Sequence, residues 1–173
     1  MPAWLLAFLG LAAAVRLASV AISARNERRL KAAGAVEFGR TNTRLLTLAH
    51  IAVYLGVAVE SLGRPATLDA AAALGMTLWT FGTVMLVVVI RGLGPIWTIK
   101  LILASDHKLV TNRLFRTVRH PNYFLAILPE LAGLMLAAHA AMTATILAGP
   151  YALLLLIRIR QEEAVMRKRF SAY

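Results

Sequence analysis

Two clusters carry the residue types that could do chemistry: Arg119-His120-Pro121-Asn122-Tyr123, and further along Arg158-Ile159-Arg160-Gln161-Glu162-Glu163. In the first, proline disfavours the α conformation for the histidine before it and is itself tolerated in a helix's first turn. His120 is therefore placed at a helix start, where free backbone N–H groups and the positive dipole end can hold a carboxylate. The alternative is a histidine that only caps backbone groups. Tyr123, one turn on, could hydrogen-bond or stack on a ligand ring, or serve as an interfacial anchor. Arg158 and Glu162 are four apart and share one helix face. They read either as an intrahelical ion pair, with Glu163 and Arg167 making a second, or as a site where water is scarce. Glu130 follows Pro129 inside an apolar run, where an acidic group costs roughly 2.5–3.5 kcal/mol. It is a functional candidate unless protonated or paired, and Arg16 and Glu60 pose milder versions of the same question.

The elements that must position these groups are set by composition. Of 173 residues, 60% are hydrophobic and the mean hydropathy is +0.70, too apolar for an ordinary soluble domain. A hydrocarbon core of about 30 Å needs roughly 20 apolar residues per helix. Five stretches qualify or nearly do: Pro2 to Ile22, Leu45 to Leu62, Leu68 to Ile90, Phe124 to Ala137 and Ala141 to Ile157. The expected fold is thus an all-α integral membrane protein of about five transmembrane helices. The last two are read as a hairpin joined by Ala138-His139-Ala140, and residues 1–173 as one membrane domain, with helices 1–90 and a region 91–173.

Charge orients the bundle. Lys and Arg number 19, and they gather in three places. Arg25, Arg28, Arg29, Lys31, Arg40 and Arg44 lie in the first loop. Arg91, Lys100, Lys108, Arg113, Arg116 and Arg119 lie in the third connection, and Arg158, Arg160, Arg167, Lys168 and Arg169 in the tail. Five crossings put all three on one side, which the positive-inside rule makes cytoplasmic, with the N-terminus outside. The net charge of +11 then reads as topology and attraction to anionic lipid headgroups, with no nucleic-acid module visible. The first apolar segment lacks a basic n-region and reads as a retained helix rather than a signal peptide. It is expected to run past the membrane surface until Gly34. Gly63-Arg64-Pro65 is expected to turn the second helix into the third, and Trp97 to anchor at the interface. Thr98 to Leu103 reads as a short strand or extended loop. Without cysteine, disulfides and thiol chemistry are excluded, and His50, His107, His120 and His139 lack zinc-ligand spacing.

His107-Lys108-Leu109-Val110-Thr111, then Phe115, then Val118 to Tyr123, then Arg158-Ile159 and Glu162-Glu163, resemble the isoprenylcysteine carboxyl methyltransferase family. The resemblance covers roughly residues 92 to 173, and Asn122-Tyr123-Phe124 with Leu128-Pro129-Glu130-Leu131 is closer to bacterial members that O-methylate alkylpyrone or alkylresorcinol lipids. It implies S-adenosyl-L-methionine, with S-adenosyl-L-homocysteine as product, in a cytoplasm-facing pocket of a bacterial inner-membrane protein. By that resemblance His107, Lys108, Leu109, Val110 and Phe115 line the adenosine region. His120, Pro121, Asn122, Tyr123 and Glu162 hold the other cofactor groups, Glu162 taking the ammonium. Arg158 is the catalytic, acceptor-facing candidate, with Glu130 beside it on the substrate side. Two departures stand out: the family's glycine falls at Arg113 and its tyrosine at Phe115, which removes a hydroxyl contact.

The implied reaction moves a methyl group to a carboxylate, enol or phenol oxygen of a lipophilic or prenylated acceptor within the membrane lipid. Alignment and desolvation would do most of the work, and Arg158 could orient an anion without acting as a base. A phenol would need a base, for which His120 or Glu130 are the candidates. The alternatives are a sterol-reductase-like NADPH enzyme, which calls for a larger bundle, and a non-catalytic membrane protein built around Glu130.

Overall fold

The computed structural model describes residues 1–62, 66–103 and 113–169, the side chain of Arg113 apart. Its first helix, α1 (Ala3–Ala32), has 30 residues, about 45 Å at ~1.5 Å per residue, so it outruns a ~30 Å hydrocarbon core. As the sequence predicts, it stops at Gly34. That residue takes a φ of 82°, and the Ala35 N–H closes back on the Leu30 carbonyl at 3.0 Å. A short strand, β1 (Val36–Phe38), leads into α2 (Arg40–Leu62). The turn into α3 at residues 63–65 lies outside the described residues. Helix α3 (Ala70–Leu93) starts on Asp69, whose carboxylate accepts the Ala72 N–H at 2.9 Å. The neighbouring His139 imidazole lies 3.0 Å from the same carboxylate. The Ala72 amide first, and then His139, hold the Asp69 pKa down to about 2.

After a 3-10 turn at Gly94–Ile96, strand β2 (Leu101–Leu103) pairs antiparallel with β1, setting Phe38 opposite Leu101 and Val36 opposite Leu103. The strand reading of this stretch holds, and its partner lies across the bundle end in a segment that gives no period-2 signal of its own. Beyond the undescribed residues come α4 (Arg113–Thr117), a π-helical turn (Asn122–Ile127), α5 (Leu128–Ala137) and α6 (Ala141–Arg169). The π turn has the Leu128 N–H bonded to the Tyr123 carbonyl, and Pro129 next to it has no N–H to offer the α register.

Four of these helices are long and apolar enough to cross a membrane, with mean hydropathies from 1.7 to 2.2. The fifth apolar helix, Asn122–Ala137, falls short by length, reaching roughly 24 Å. Leu6, Leu17, Leu55, Leu74, Phe81 and Leu153 are exposed on outer faces, as lipid-facing side chains must be. The chain is an all-α membrane protein with one small ribbon.

Inside, the helices pair in an order that the sequence does not announce. The turn at Ala138–Ala140 joins α5 to α6, yet α5 packs chiefly on α3 and α6 on α2. The α3–α5 crossing is close because it is lined by glycine. A Cβ on Gly82 would sit 2.7 Å from the Ala126 carbonyl, and one on Gly133 would collide with the Trp79 backbone. Across α2 and α6, Asn42 donates to the Leu154 carbonyl at 3.1 Å, and Glu60 accepts the N–H groups of Met142 and Thr143 at 3.0 and 2.8 Å. Glu60 thereby caps the start of α6.

The bundle thus has two distinct ends. One carries the Glu60 cap and the Asp69–His139 pair. The other gathers the end of α1, the ribbon, the starts of α2 and α5 and the end of α6. Here Asn26 donates to the carbonyls of Gly94 and Trp97 at 3.2 and 2.9 Å, and Glu27 bridges Lys31 and Lys100 at 2.6 Å each. Trp97 departs from the expectation of an interfacial anchor. It is buried with Leu86, Val89 and Ala126, because the Asn26 clamp on its carbonyl turns it inward.

Candidate active site

At this second end the two sequence clusters meet. The π turn projects Tyr123 inward, where it is buried rather than interfacial. Its hydroxyl donates to Glu162 Oε2 at 2.6 Å and accepts from Arg158 Nε at 3.1 Å. Arg158 and Glu162 therefore form no direct pair among the described residues. They are joined through one phenol, while Glu163 makes the expected pair with Arg167 at 3.1 Å.

His120 is buried against both carboxylates, its ring stacked on Tyr123 with centroids 5.8 Å apart. Nε2 lies 3.3 Å from Glu163 Oε1, and Nδ1 lies 3.5 Å from Glu162 Oε1, too poorly aligned for a hydrogen bond. Burial works against the imidazolium, but the facing carboxylates of Glu162 and Glu163 outweigh it, so the His120 pKa is raised above the usual histidine value. Of the two readings of His120, the side chain caps no backbone N–H among the described residues. Its carbonyl does, accepting from Tyr123 and Phe124 at 3.1 Å each.

The remaining candidates divide. Pro121 is fully buried, and Asn122 beside it keeps a buried Oδ1 without a hydrogen-bond partner among the described residues. Phe115, on α4, packs partly buried on the Trp97 cluster. His107, Lys108, Leu109 and Val110 lie outside the described residues. Glu130 does not join the Arg158–Tyr123–Glu162 chain. It is 4% exposed, paired with Arg16 of α1, and accepts from the Tyr54 hydroxyl at 2.7 Å. Its Oε1 lies 4.0 Å from His50 Nε2, and His50 Nδ1 is 3.1 Å from the Tyr151 hydroxyl. That second cluster ties α1, α2, α5 and α6 together within the bundle.

Three contacts lie outside the candidates that the sequence singles out. Arg158 is 3% exposed, and its Nη1 donates to Thr43 Oγ1 at 2.8 Å and its Nη2 to the Ile99 carbonyl at 3.0 Å. The Ile99 N–H is in turn held by Ser23 Oγ at 2.9 Å. Asn42-Thr43 between Arg40 and Arg44 was the available signal, a pair of small polar residues opening an apolar helix.

Residues 73–168, more than half of the chain, match the isoprenylcysteine carboxyl methyltransferase (ICMT) family. The chain belongs to that family. Membership makes it a membrane methyltransferase, in keeping with its four span-length helices. Among curated proteins it is similar to an uncharacterized protein of Haemophilus influenzae, 40% identical over 157 residues that cover 91% of each chain. It is also similar to the uncharacterized protein YpbQ of Bacillus subtilis, 27% identical over 164 residues, 88% of this chain and 90% of that one. No solved structure matches it.

The residues present suit the cofactor that the family implies. S-adenosylmethionine presents an ammonium and a sulfonium to be balanced and amino-acid and nucleoside groups to be hydrogen-bonded. Against these stand Glu162 and Glu163, each just over a quarter exposed, and Asn122 Oδ1, a buried acceptor without a hydrogen-bond partner among the described residues. Buried polar atoms left without partners are costly unless a ligand satisfies them.

Proposed function

We propose that this ICMT-family protein transfers a methyl group from S-adenosylmethionine to an oxygen of a lipophilic acceptor at the cytoplasmic membrane face. The observation that carries the reading is the hydrogen-bonded run Arg158–Tyr123–Glu162, with His120 stacked on the phenol and set between the carboxylates of Glu162 and Glu163. The cytoplasmic side is favoured because this end of the bundle carries Arg25, Arg28, Arg40, Arg44 and the basic end of α6.

In this reading Glu162 binds the cofactor's ammonium, and Tyr123 fixes the carboxylate that does so. His120 and Asn122 supply the neighbouring polar contacts. The bound cofactor supplies an electrophilic methyl group. Arg158 orients an anionic acceptor oxygen, while burial of Arg158 and Tyr123 excludes water from the approach. A carboxylate or acidic enol arrives already ionised and needs no proton removed. Glu130, paired with Arg16 and accepting from Tyr54, stays on the substrate side in this reading, apart from the Arg158–Tyr123–Glu162 chain.

The test is calorimetric titration of S-adenosylhomocysteine into the detergent-purified protein, with Glu162→Gln alongside. Saturable binding by the wild type, weakened roughly tenfold or more by the variant, is expected for loss of a charge-assisted contact. Folded wild-type protein that binds none rejects the reading.

A further inference from the structure

Arg158 is held in an unusual way for so buried a cation. Among the described residues no carboxylate lies within ion-pair distance of it, and three neutral acceptors take its N–H groups instead: the Tyr123 hydroxyl, Thr43 Oγ1 and the Ile99 carbonyl. A carboxylate would fix a guanidinium and also neutralise it. Neutral acceptors fix its plane and leave its charge for a ligand, with one N–H still free on each terminal nitrogen.

Of these three, Thr43 is the side chain that comes from outside the stretch matching the family. It is buried in the first turn of α2, where Gly39, at a φ of 60°, turns the chain out of β1. The Thr43 N–H bonds to the Gly39 carbonyl at 2.9 Å, and β-branching restricts its χ1. Opposite, the Ile99 peptide is gripped at both ends, by Ser23 on its N–H and Arg158 on its carbonyl. The guanidinium is clamped between two supports that are themselves anchored.

We infer that Thr43 is a positioning residue, whose hydroxyl sets the plane of the Arg158 guanidinium so that its free N–H groups meet an anionic acceptor oxygen. The inference rests on the methyl-transfer reading above. Thr43→Val removes the acceptor at nearly constant shape, and Thr43→Ser keeps it. Three readouts are compared with wild type. These are S-adenosylhomocysteine affinity, methyl transfer from labelled S-adenosylmethionine to N-acetyl-S-farnesylcysteine and to a bacterial membrane-lipid extract, and the side-chain 15N spectrum of labelled arginine. Arg158→Lys assigns the Arg158 resonances.

Thr43→Val is expected to bind S-adenosylhomocysteine within about twofold of wild type and to lose roughly ten- to a hundredfold in kcat. Its Arg158 Nη resonances should shift and average as the clamp opens. Thr43→Ser should restore turnover and spectrum together. A Thr43→Val spectrum or kcat equal to wild type overturns the inference, as does a Thr43→Ser variant as impaired as Thr43→Val. Parallel loss of S-adenosylhomocysteine binding and turnover in both variants overturns it too, since that marks a structural role. These outcomes leave the methyl-transfer reading standing. Failure of the wild type itself to bind S-adenosylhomocysteine removes that reading, and the inference with it.

Discussion

Tyr123 is the residue on which the site turns, because one hydroxyl serves both Glu162 and Arg158. Tyr123→Phe should therefore weaken S-adenosylhomocysteine binding by about tenfold and depress turnover as well, measured by calorimetry and radiolabel transfer. A loss confined to turnover would show that Glu162 holds its place unaided. His120 gives a prediction in pH. Its pKa is raised in the folded protein, so the stabilisation it draws from Glu162 and Glu163 is complete below its ordinary value near 6.5 and is lost as pH rises through the folded value. Melting temperature measured from pH 6 to 9 should fall more steeply for wild type than for His120→Asn. These residues were legible in the sequence because their spacing around Pro121 and along one face of α6 is a local property. The other half of the Arg158 clamp was not. Thr43 has the composition of any helix start, and the Ile99 contact is made by a carbonyl, which every residue owns and no sequence pattern marks.

At the scale of elements, the span-length helices and the overrun of α1 were readable from hydropathy and charge, since both are sums over many residues. The π turn was not, because it depends on a single missing N–H at Pro129 being absorbed locally. Helix partners were hidden too. All the helices are apolar, and only three-dimensional contact tells α3 that Gly133 is opposite. Gly133→Ala tests this directly: its Cβ would meet the Trp79 backbone, so it should cost about 1–3 kcal/mol in denaturant-induced unfolding in detergent. Gly149→Ala, with open space around the same atom, should change little.

Across the whole molecule, α1 is seated by polar contacts at two depths. Asn26, Ser23 and Glu27 hold its protruding end, and Arg16 meets Glu130 within the bundle. Removing one member of a buried pair strands the other, so Arg16→Met or Glu130→Gln alone should destabilise by about 3–5 kcal/mol. The double variant Arg16→Met with Glu130→Gln should recover most of that, as read by thermal melting. A loss in the double variant equal to the sum of the single losses would mean that the charges are held independently. The sequence marked Glu130 as exceptional, and rightly so. It could not say that the reason is a cation more than a hundred residues earlier.

The nesting of partners, α3 with α5 inside α2 with α6, sets a timetable for biogenesis. When the ribosome has delivered α1 to α3, neither α2 nor α3 has met its main partner. The inner pair is the first whose two members have both been made, with Gly75 and Gly82 facing the backbone that they receive. Only α6, arriving on the Glu60 cap, closes the outer pair and carries Arg158 to Thr43. Nascent chains arrested before Ala141 should consequently be inserted yet open to protease and to chaperones of the membrane. Assembly of the clamp waits for α6, so no intermediate that lacks this helix can hold Arg158 between Thr43 and Ile99.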